Sequence, residues 1–544
     1  MNKLLIKGAM IGVVIIIAAI ALISLFQNKE EKKQPTTTVA QKEAGQWGKA
    51  IQKNCLTCHA VRDDGSIERI SDVRKTPEGW EDTISRMEQA WGMQITPEDR
   101  AAVVKELSEK NGLAPAEMEK VMYWLTSNGS TMEPKLENEL MEKSCISCHA
   151  AARPLAQYRT EEEWRKLVDF HIAFNPSIIY QMRTQKWEEE ATKIVEYLAK
   201  INSFDTKEWK EWKEGKKEYE LAGKWRIVGY RPGIGMYSGY AELKRKGEDF
   251  YENRTLLMPG GKTETYQGNV RVFNGYSLRS SLGGENKKLR GVFNIQNDGK
   301  TIKGRWNQVG DIGQYGDEKY YKSDRTGLLD AWPKALKKGE TALVHIIGMN
   351  LPKNITKEEL HTSSDLRIRK IEKQGDDLWV QIDVSSGAQD GLQTIQWKDE
   401  RLTIQVYDHI DYMKITPEYG LARLNYSGRQ QSVQFEAIGY TVGPDGKQGT
   451  SDDVEIGPVK AKWGMKEFLL GTEDDLDVHF VGRVDRDTGV FTPAAGGPNP
   501  KREWSTNNAG NVTITATYTD PLTKKQIEAE TVLLVTVPDY VSIR

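Results

Sequence analysis

The chain has 544 residues, a formal net charge of −2 and 28% charged residues. This near-neutral balance excludes a nucleic-acid-binding protein that works through a basic surface. The length exceeds what a single hydrophobic core holds, so the sequence predicts several domains.

The N-terminus combines a short basic tail with an apolar segment. Lys3 and Lys7 precede an almost uninterrupted apolar run from 9 to 26. Its length fits either a long signal sequence or one membrane-spanning helix. We predict a membrane anchor or signal in residues 1–27, with an uncleaved transmembrane anchor favoured, and a polar tether in 28–44. The basic tail then faces the cytoplasm, and the rest of the chain is periplasmic or on the outer face of the cytoplasmic membrane.

Two copies of the pattern C-x-x-C-H, "NCLTCHA" at 54–60 and "SCISCHA" at 144–150, contain all four cysteines. The pattern is typical of covalent c-type haem, in which two thiols bind the porphyrin and the next histidine binds the iron. A zinc site, a thioredoxin-like redox pair and structural disulfides also use cysteine pairs, but none of them requires that histidine. The predicted haem-binding residues are Cys55, Cys58, His59, Cys145, Cys148 and His149.

An internal repeat follows the two haem motifs. When Thr76 is aligned with Thr160, Trp80 coincides with Trp164. Each threonine is typical of a helix N-cap, with acidic residues in the turn that follows. Each half ends in a charged helix with apolar periodicity. The sequence therefore predicts a helical diheme cytochrome c domain over 45–205.

The repeat also predicts the sixth iron ligands. Seven residues after the aligned tryptophans stand Met87 and His171. A low-spin haem needs a methionine sulfur or a histidine nitrogen opposite its proximal histidine. We expect Met87 to complete the first haem and His171 the second. Methionines on helices also pack in cores, and the rivals for the first haem are Met93, Met118, Met122 and Met132.

Beyond about residue 205 the pattern changes to short alternating strands, with turn signals such as "PGGK", "NDGK" and "LGGE". The stretch 323–340 reads as a linker. The predicted fold class is multidomain α plus all-β: the helical diheme domain, then three antiparallel β domains. These are a small barrel over 220–323 and two immunoglobulin-like β-sandwiches over 336–413 and 414–544.

The β regions contain no evident catalytic constellation. Their four histidines lie far apart in sequence, without ligand spacing. The segment "GPDGKQGTSDDVEIG" (443–457) is similar to a calcium loop, with Asp445, Asp452 and Asp453 near glycines. It lacks the spacing and the terminal glutamate of an EF-hand loop, so a tight hairpin turn is the favoured interpretation.

Several segments resemble the alpha subunit of quinohemoprotein amine dehydrogenase. They are "RISDVRKTPEGWEDTISRM", "GLAPAEMEKV", "RTEEEWRKLVDFHIAFNPSIIYQ" and "GPDGKQGTSDDVEIGPVKAKW". The resemblance extends from about residue 45 to the end, whereas the N-terminal segment departs from the soluble periplasmic members.

The resemblance implies a heterotrimer. A small subunit carries cysteine tryptophylquinone and oxidises a primary amine to an aldehyde and ammonia, and a β-propeller subunit helps to enclose that site. The alpha subunit passes the electrons through two covalent haem c groups to an external acceptor, a small copper protein or a cytochrome c. No catalytic residue is expected in this chain, because its four cysteines are committed to haem.

Two other functions remain open from the sequence. One is a stand-alone, membrane-tethered diheme cytochrome c that only carries electrons. The other is a diheme peroxidase, which needs an open iron position. The pair Met87 and His171 argues against the peroxidase, because it closes both irons.

Overall fold

The computed structural model describes residues 46–122, 138–144, 151–174, 176, 178, 186–469, 474–503 and 505–537. The predicted anchor and tether lie outside these residues, as do Cys145, Cys148 and His149. Within the described ranges, no helix has the length and apolar character needed to cross a membrane. Compact units are formed by Met1–Ser71 and Asp72–Arg544.

The described part of the first unit is a helix followed by a short loop. Helix α1 covers Lys49–Cys55 and buries Ile51 completely. The Trp47 indole donates a hydrogen bond to the Gly65 carbonyl oxygen at 3.0 Å, and Ile67 is also fully buried. These contacts fold the chain back over the helix that leads into the first haem motif.

The second unit begins with helices joined by a two-stranded ladder, in which β1 (Val73–Lys75) pairs antiparallel with β2 (Gln157–Arg159). Thr76 caps the helix after β1 by accepting from the Gly79 N–H, and Thr160 accepts from the Glu163 N–H. Both predicted N-caps are thus confirmed. The helices of this region are α2 Pro77–Trp91, α3 Pro97–Lys110, α4 Pro115–Glu119, α5 Glu139–Ser144, α6 Ala152–Leu155, α7 Glu161–Phe174, α8 Trp187–Ile201 and α9 Lys207–Gly215.

A closed eight-stranded barrel follows, where the sequence predicts a small antiparallel barrel. Each strand pairs antiparallel with the next, and the last strand pairs back to the first through Asp317 and Tyr230. The three turn signals lie at strand connections. The barrel strands are β3 Gly223–Arg231, β4 Gly235–Lys246, β5 Asp249–Leu257, β6 Thr263–Phe273, β7 Ser277–Gly284, β8 Lys288–Ile295, β9 Thr301–Gln308 and β10 Asp311–Lys322.

The barrel and the helices share one hydrophobic core. Trp209 and Trp212, on the inner face of α9, belong to the same buried cluster as Trp225 and Tyr237 of the barrel. Met118 of α4 is also part of it and is 1% exposed. The amphipathic segment before the barrel is therefore a packed helix.

The prediction of a linker over 323–340 is wrong. This stretch forms β11 (Gly327–Trp332) and β12 (Ala335–Lys337), which enter two different sheets. Leu328 and Leu336 are both 2% exposed. The chain changes sheets at Pro333, so neither half is long enough to show an alternating pattern.

Two four-stranded sheets enclose one buried core in this region. Their strand orders are β11-β13-β16-β15 and β12-β18-β17-β14, and their immunoglobulin-like character stays a prediction. The remaining strands are β13 Thr341–Met349, β14 Leu360–Thr362, β15 Leu366–Gln374, β16 Asp377–Val384, β17 Gly391–Trp397 and β18 Glu400–Tyr407.

The last block has its own core, which includes Phe435, Phe491 and Ile514. The alternation predicted for 511–518 is present, because Val512, Ile514 and Ala516 are buried on one strand. Its strands are β19 Tyr412–Thr416, β20 Tyr419–Tyr426, β21 Arg429–Gln431, β22 Val433–Gln434, β23 Glu436–Thr441, β24 Val454–Val459, β25 Ala461–Glu467, β26 Gly482–Val484, β27 Val490–Pro493, β28 Gly510–Thr519 and β29 Gln526–Thr536.

Candidate haem-binding region

The first haem motif begins at the C-terminal end of α1. The Cys55 carbonyl oxygen accepts hydrogen bonds from the N–H groups of Cys58 at 3.1 Å and His59 at 3.0 Å. One tight turn therefore holds both sulfurs and the imidazole. Cys58 is exposed, and neither of these two cysteines forms a disulfide. Accessible thiols beside a histidine fit covalent haem attachment.

The His59 ring is oriented by a backbone carbonyl. Its Nδ1 lies 3.2 Å from the Glu68 carbonyl oxygen. A carbonyl oxygen only accepts, so this contact favours the tautomer with the proton on Nδ1 and the lone pair on Nε2. Metal-bound histidines are commonly oriented in this way. The residues of the first motif thus fit a haem whose iron binds His59 Nε2.

The sequence repeat is a structural repeat. The Trp80 indole donates to the Asn111 carbonyl oxygen at 3.1 Å, and the Trp164 indole donates to the Asn202 carbonyl oxygen at 3.2 Å. Each asparagine follows the last helix of its half and receives a further hydrogen bond from the strand that opens that half. The two halves are therefore built by the same buried contacts.

Met87 and His171 occupy equivalent places in the two halves. Each lies two helical turns beyond a buried tryptophan, on α2 and α7, and each side chain is partly exposed. Two of the rival methionines, Met118 and Met122, are each 1% exposed. Met93 is partly exposed, and Met132 lies outside the described residues.

His171 is prepared to act as a neutral ligand. Burial lowers its pKa, and the nearby charges of Arg153, Arg86 and Arg159 lower the pKa further. Its Nδ1 lies 2.7 Å from the Leu167 carbonyl oxygen one turn earlier, which favours a proton on Nδ1. Nε2 therefore carries the lone pair, as iron binding requires.

Sequence reasoning missed one buried cation, Lys75, and two partly buried cations, Arg86 and Arg153, whose charges lower the pKa of His171. Burial lowers the pKa of each of the three. The sequence gives no signal for them, because a charge on a helix usually indicates a solvated face. Only the packing of the two halves reveals that these charges face inward.

The calcium-like segment is a hairpin turn between β23 and β24. The Asp453 carboxylate accepts hydrogen bonds from the N–H groups of Gly443 at 2.9 Å, Gly449 at 2.7 Å and Thr450 at 3.1 Å. It also accepts one from the Tyr412 hydroxyl at 2.5 Å. The carboxylate holds the loop closed, so the segment is a hairpin connection as predicted, although the loop between Thr441 and Val454 is longer than a tight turn.

His345, one of the four β-region histidines, has a structural role. Its Nε2 lies 3.1 Å from Asp377 Oδ2, an oxygen that also accepts from the Ser238 hydroxyl at 2.8 Å. Arg226 pairs with the other oxygen of Asp377. The group lies at the contact between the barrel and the sheet that contains β13 and β16, where it joins the two.

Comparison with known proteins gives family matches along most of the chain. Residues 45–209 match the model "Quinohemoprotein amine dehydrogenase A, alpha subunit, haem binding". Residues 218–316 match domain II of that alpha subunit, and residues 413–543 match its domain IV. No curated protein matches the sequence.

Among solved structures, the chain is similar to a redesigned beta barrel at 12% identity, over 19% of this chain and 90% of that one, with a TM-score of 0.17. It is also similar to domains 5-6 of the S-layer protein SbsC at 12% identity, over 40% and 100% of the two chains, with a TM-score of 0.16. Alignments at these TM-scores bear on neither fold nor function. The family matches cover most of the chain. They show that the chain belongs to the family of quinohemoprotein amine dehydrogenase alpha subunits, with a haem-binding domain over residues 45–209.

Proposed function

We propose that this chain is the electron-transfer subunit of an amine dehydrogenase and carries two covalent haem c groups. The observation that supports this most is the duplicated construction of the haem-binding region. Each half has one C-x-x-C-H motif and one potential iron ligand, Met87 or His171, at the same position of an equivalent helix.

When bound, each haem supplies reversible storage of one electron. The protein contributes the rest. The thiols of Cys55 and Cys58 hold the first group, and Cys145 and Cys148 hold the second. His59 and His149 would bind the iron of the first and the second group. The carbonyl contacts at His59 and His171 fix the ring orientations, and the buried Trp80 and Trp164 hold the helices that present the sixth ligands.

Different sixth ligands give the two haems different potentials. A methionine ligand raises the potential of a haem relative to two histidines. With both haems bound, Met87 on one and His171 on the other would give a downhill path within one domain. Such a path would conduct electrons from a donor subunit to an external acceptor.

The donor is proposed to be a small partner subunit with cysteine tryptophylquinone, which oxidises a primary amine to an aldehyde and ammonia. A β-propeller subunit completes the heterotrimer, and a small copper protein or a cytochrome c accepts the electrons. This chain cannot hold such a quinone, because its four cysteines are all in the haem motifs. The complex is proposed to lie outside the cytoplasmic membrane, held by the N-terminal segment 1–27.

The test is to purify the chain from its native membrane under mild conditions and to weigh every polypeptide that accompanies it. The same sample is assayed for covalent haem and for haem reduction by primary amines. We expect two haems per chain, a small cross-linked partner and amine-dependent reduction. A chain that purifies alone, contains two haems and ignores amines would instead be a tethered electron carrier.

A second measurement tests whether the chain is a diheme peroxidase instead. We expect carbon monoxide to leave the spectra of both ferrous haems unchanged, because both irons are closed by side chains. Binding to either haem would reopen that function. The purified chain without partners is expected to oxidise no amine.

A further inference from the structure

A pair of charged residues joins the first half of the repeat to the barrel. Glu78, in the first turn of α2, accepts from Arg279 Nη2 of β7 at 3.0 Å, and Arg279 Nε pairs with the other carboxylate oxygen. Arg279 Nη1 donates to Ser277 Oγ at 2.9 Å and to the Leu278 carbonyl oxygen at 3.0 Å. Two parallel bonds between an arginine and a carboxylate fix orientation as well as distance. The guanidinium therefore connects the start of α2 to the barrel wall in one geometry.

This pair is partly shielded from water. The Arg279 side chain is 14% exposed and the Glu78 side chain is 35% exposed. Burial raises the pKa of Glu78, but the charge of Arg279 and the hydrogen bonds to the carboxylate outweigh it, so the pKa lies below the ordinary glutamate value. The carboxylate is therefore charged at neutral pH, and the N-terminal end of α2 stabilises it further. Loss of either partner leaves a poorly solvated charge, which is costly.

Helix α3 and the segment after it provide a second attachment to the barrel. Glu109 Oε1 accepts from the Asn274 N–H, in the turn between β6 and β7, at 2.8 Å. Asn274 Nδ2 donates to the Leu113 carbonyl oxygen at 2.7 Å, and the Tyr276 hydroxyl donates to the same oxygen at 2.9 Å. Leu113 is 2% exposed and belongs to the barrel core. Both long helices of the first half are thus held by the neighbouring strands β6 and β7.

The corresponding positions of the second half face solvent. In the alignment of the two halves, Glu162 of α7 corresponds to Glu78. The Glu162 side chain is 76% exposed and pairs with Lys166, one turn along the same helix, at 2.8 Å. Counted from the asparagine that follows each helix, the residue of α8 that corresponds to Glu109 is Lys200, which is exposed. The barrel therefore holds α2 and α3 at positions that α7 and α8 leave in water.

We propose that Arg279 is a positioning residue, which holds α2 and with it Met87 against the barrel and makes α2 more rigid than α7. The barrel thus supports one half of the repeat. A sixth ligand must stay at one distance from its iron, so the helix that carries it needs a fixed position. The inference rests on the proposed function where it treats Met87 as an iron ligand. The contact between Arg279 and α2 does not depend on that assignment.

The experiment measures amide hydrogen exchange along the full haem-loaded chain by mass spectrometry of its peptides. In Arg279→Gln we expect the protected amides of α2 to exchange roughly tenfold faster, because a charge-assisted contact is lost. The amides of α7 and of the barrel strands are expected to change by less than about twofold, because they lie away from the pair. Arg279→Lys keeps the charge and is expected to retain most of the protection of α2.

Two comparisons assign the effect to the pair itself. Glu78→Gln should accelerate the exchange of α2 as Arg279→Gln does. The double variant should exchange no faster than either single variant, because all three lose the same contact. The matched control is Glu162→Gln, which changes the exposed counterpart in the second half. It should leave the exchange of α7 within about twofold of the wild type, as the loss of one exposed pair along a helix does.

A second readout tests the positioning of Met87. The sulfur-to-iron charge-transfer band reports a methionine bound to ferric haem. In Arg279→Gln we expect this band to disappear at a lower temperature than in the wild type. The far-UV circular dichroism, which reports the folded chain as a whole, should change at nearly the same temperature in both proteins. A merely stabilising role of Arg279 would shift both curves together.

Several results would overturn the inference. These are unchanged exchange of α2, equal acceleration of α2 and the barrel strands, additive effects in the double variant, and a joint shift of the two melting curves. Each of them leaves the proposed function intact. A haem-loaded wild-type chain without the charge-transfer band would instead refute Met87 as a ligand in the proposed function, and the exchange measurement would still decide whether Arg279 holds α2.

Discussion

Arg74 and Tyr158 lie directly opposite each other in the β1–β2 ladder, and the Arg74 guanidinium lies over the Tyr158 ring, 4.6 Å from its centre. The alignment that matches Thr76 with Thr160 also matches these two residues. Because the ladder is antiparallel, the two halves of the repeat are related by a local two-fold axis at this pair. Arg74 also binds both oxygens of Glu117, at 2.7 and 2.9 Å, which fixes the centre of the region.

The two-fold arrangement predicts that Met87 and His171 each affect only one of the two haems. Met87→Ala is expected to alter the spectrum of one haem and His171→Ala that of the other, because each removes a ligand on one side of the axis. Absorption and electron paramagnetic resonance spectra of the two variants measure this. Met93→Ala is the matched control and should change neither haem. If either ligand variant changes both spectra or neither, the repeat assignment is wrong.

The paired tryptophan contacts predict that removing either indole hydrogen bond lowers the free energy of unfolding by the same amount. Trp80→Phe and Trp164→Phe each remove one indole hydrogen bond to an asparagine carbonyl oxygen. The free energy of unfolding should fall by roughly 1 kcal/mol in each case, because that oxygen keeps its backbone N–H donor. Denaturant titration measures the change. Trp91→Phe, at a position that is 70% exposed, serves as the control and should leave stability unchanged. Markedly unequal losses would contradict the structural equivalence of the halves.

The burial of Glu252 inside the barrel predicts that the protein becomes less stable as the pH rises toward neutral. Burial raises the pKa of Glu252 to about 6; Arg254 opposes this and Glu318 adds to it. The folded pKa lies above the ordinary glutamate pKa of 4.5. The contribution of Glu252 is therefore full below that value and is lost as the pH rises through about 6, at a cost of about 2 kcal/mol.

Glu252→Gln should remove this loss of stability above pH 6, because an amide does not ionise. The variant should be more stable than the wild type at pH 7.5 and similar to it near pH 4.5, since an amide oxygen can still accept the Tyr320 hydroxyl. Thermal unfolding at the two pH values measures the difference. Glu248→Gln, in an exposed turn of the same barrel, should show no such pH dependence. A Glu252→Gln variant that is destabilised equally at both pH values would contradict the assignment.

The contact between the second and third β regions predicts a loss of stability in acid. Burial raises the pKa of Asp520, but the Lys337 ammonium and the N–H groups of Thr523 and Leu522 lower it to about 2. The folded pKa is depressed, so the contribution is present above about pH 4 and is lost as the pH falls through 2. Asp520→Asn should flatten the stability profile between pH 4 and pH 2. The exposed Asp487→Asn should follow the wild-type profile, and a wild-type profile without this decline would refute the prediction.

The stretch 323–340, which the sequence predicts to be a linker, shows why sequence patterns do not reveal every strand of the fold. Its two strands are short and lie in different sheets, so each contributes only two or three inward side chains, among them Leu328 and Leu336. Strand periodicity needs a longer run to be visible. The barrel strands were predictable, because they are longer and are separated by glycine turns.

The sequence alone determined what depends on local chemistry. The spacing of Cys55, Cys58 and His59 predicts haem attachment, and the capping threonines specify where the repeat helices begin. The repeat aligns Met87 with His171, because both halves keep the same order of residues along one helix. Local geometry is encoded in neighbouring residues, and a single sequence is enough to show it.

Tertiary structure alone decided how distant charges meet. Lys75, Arg86 and Arg153 lie on three different elements, and each by itself is an ordinary surface cation in the sequence. The antiparallel pairing of β1 and β2 brings the two halves together, buries Lys75 and leaves Arg86 and Arg153 partly buried. Electrostatic energy depends on distance and burial, neither of which the order of residues contains. The effect of Arg86 and Arg153 on the pKa of His171 is therefore visible only in the folded chain.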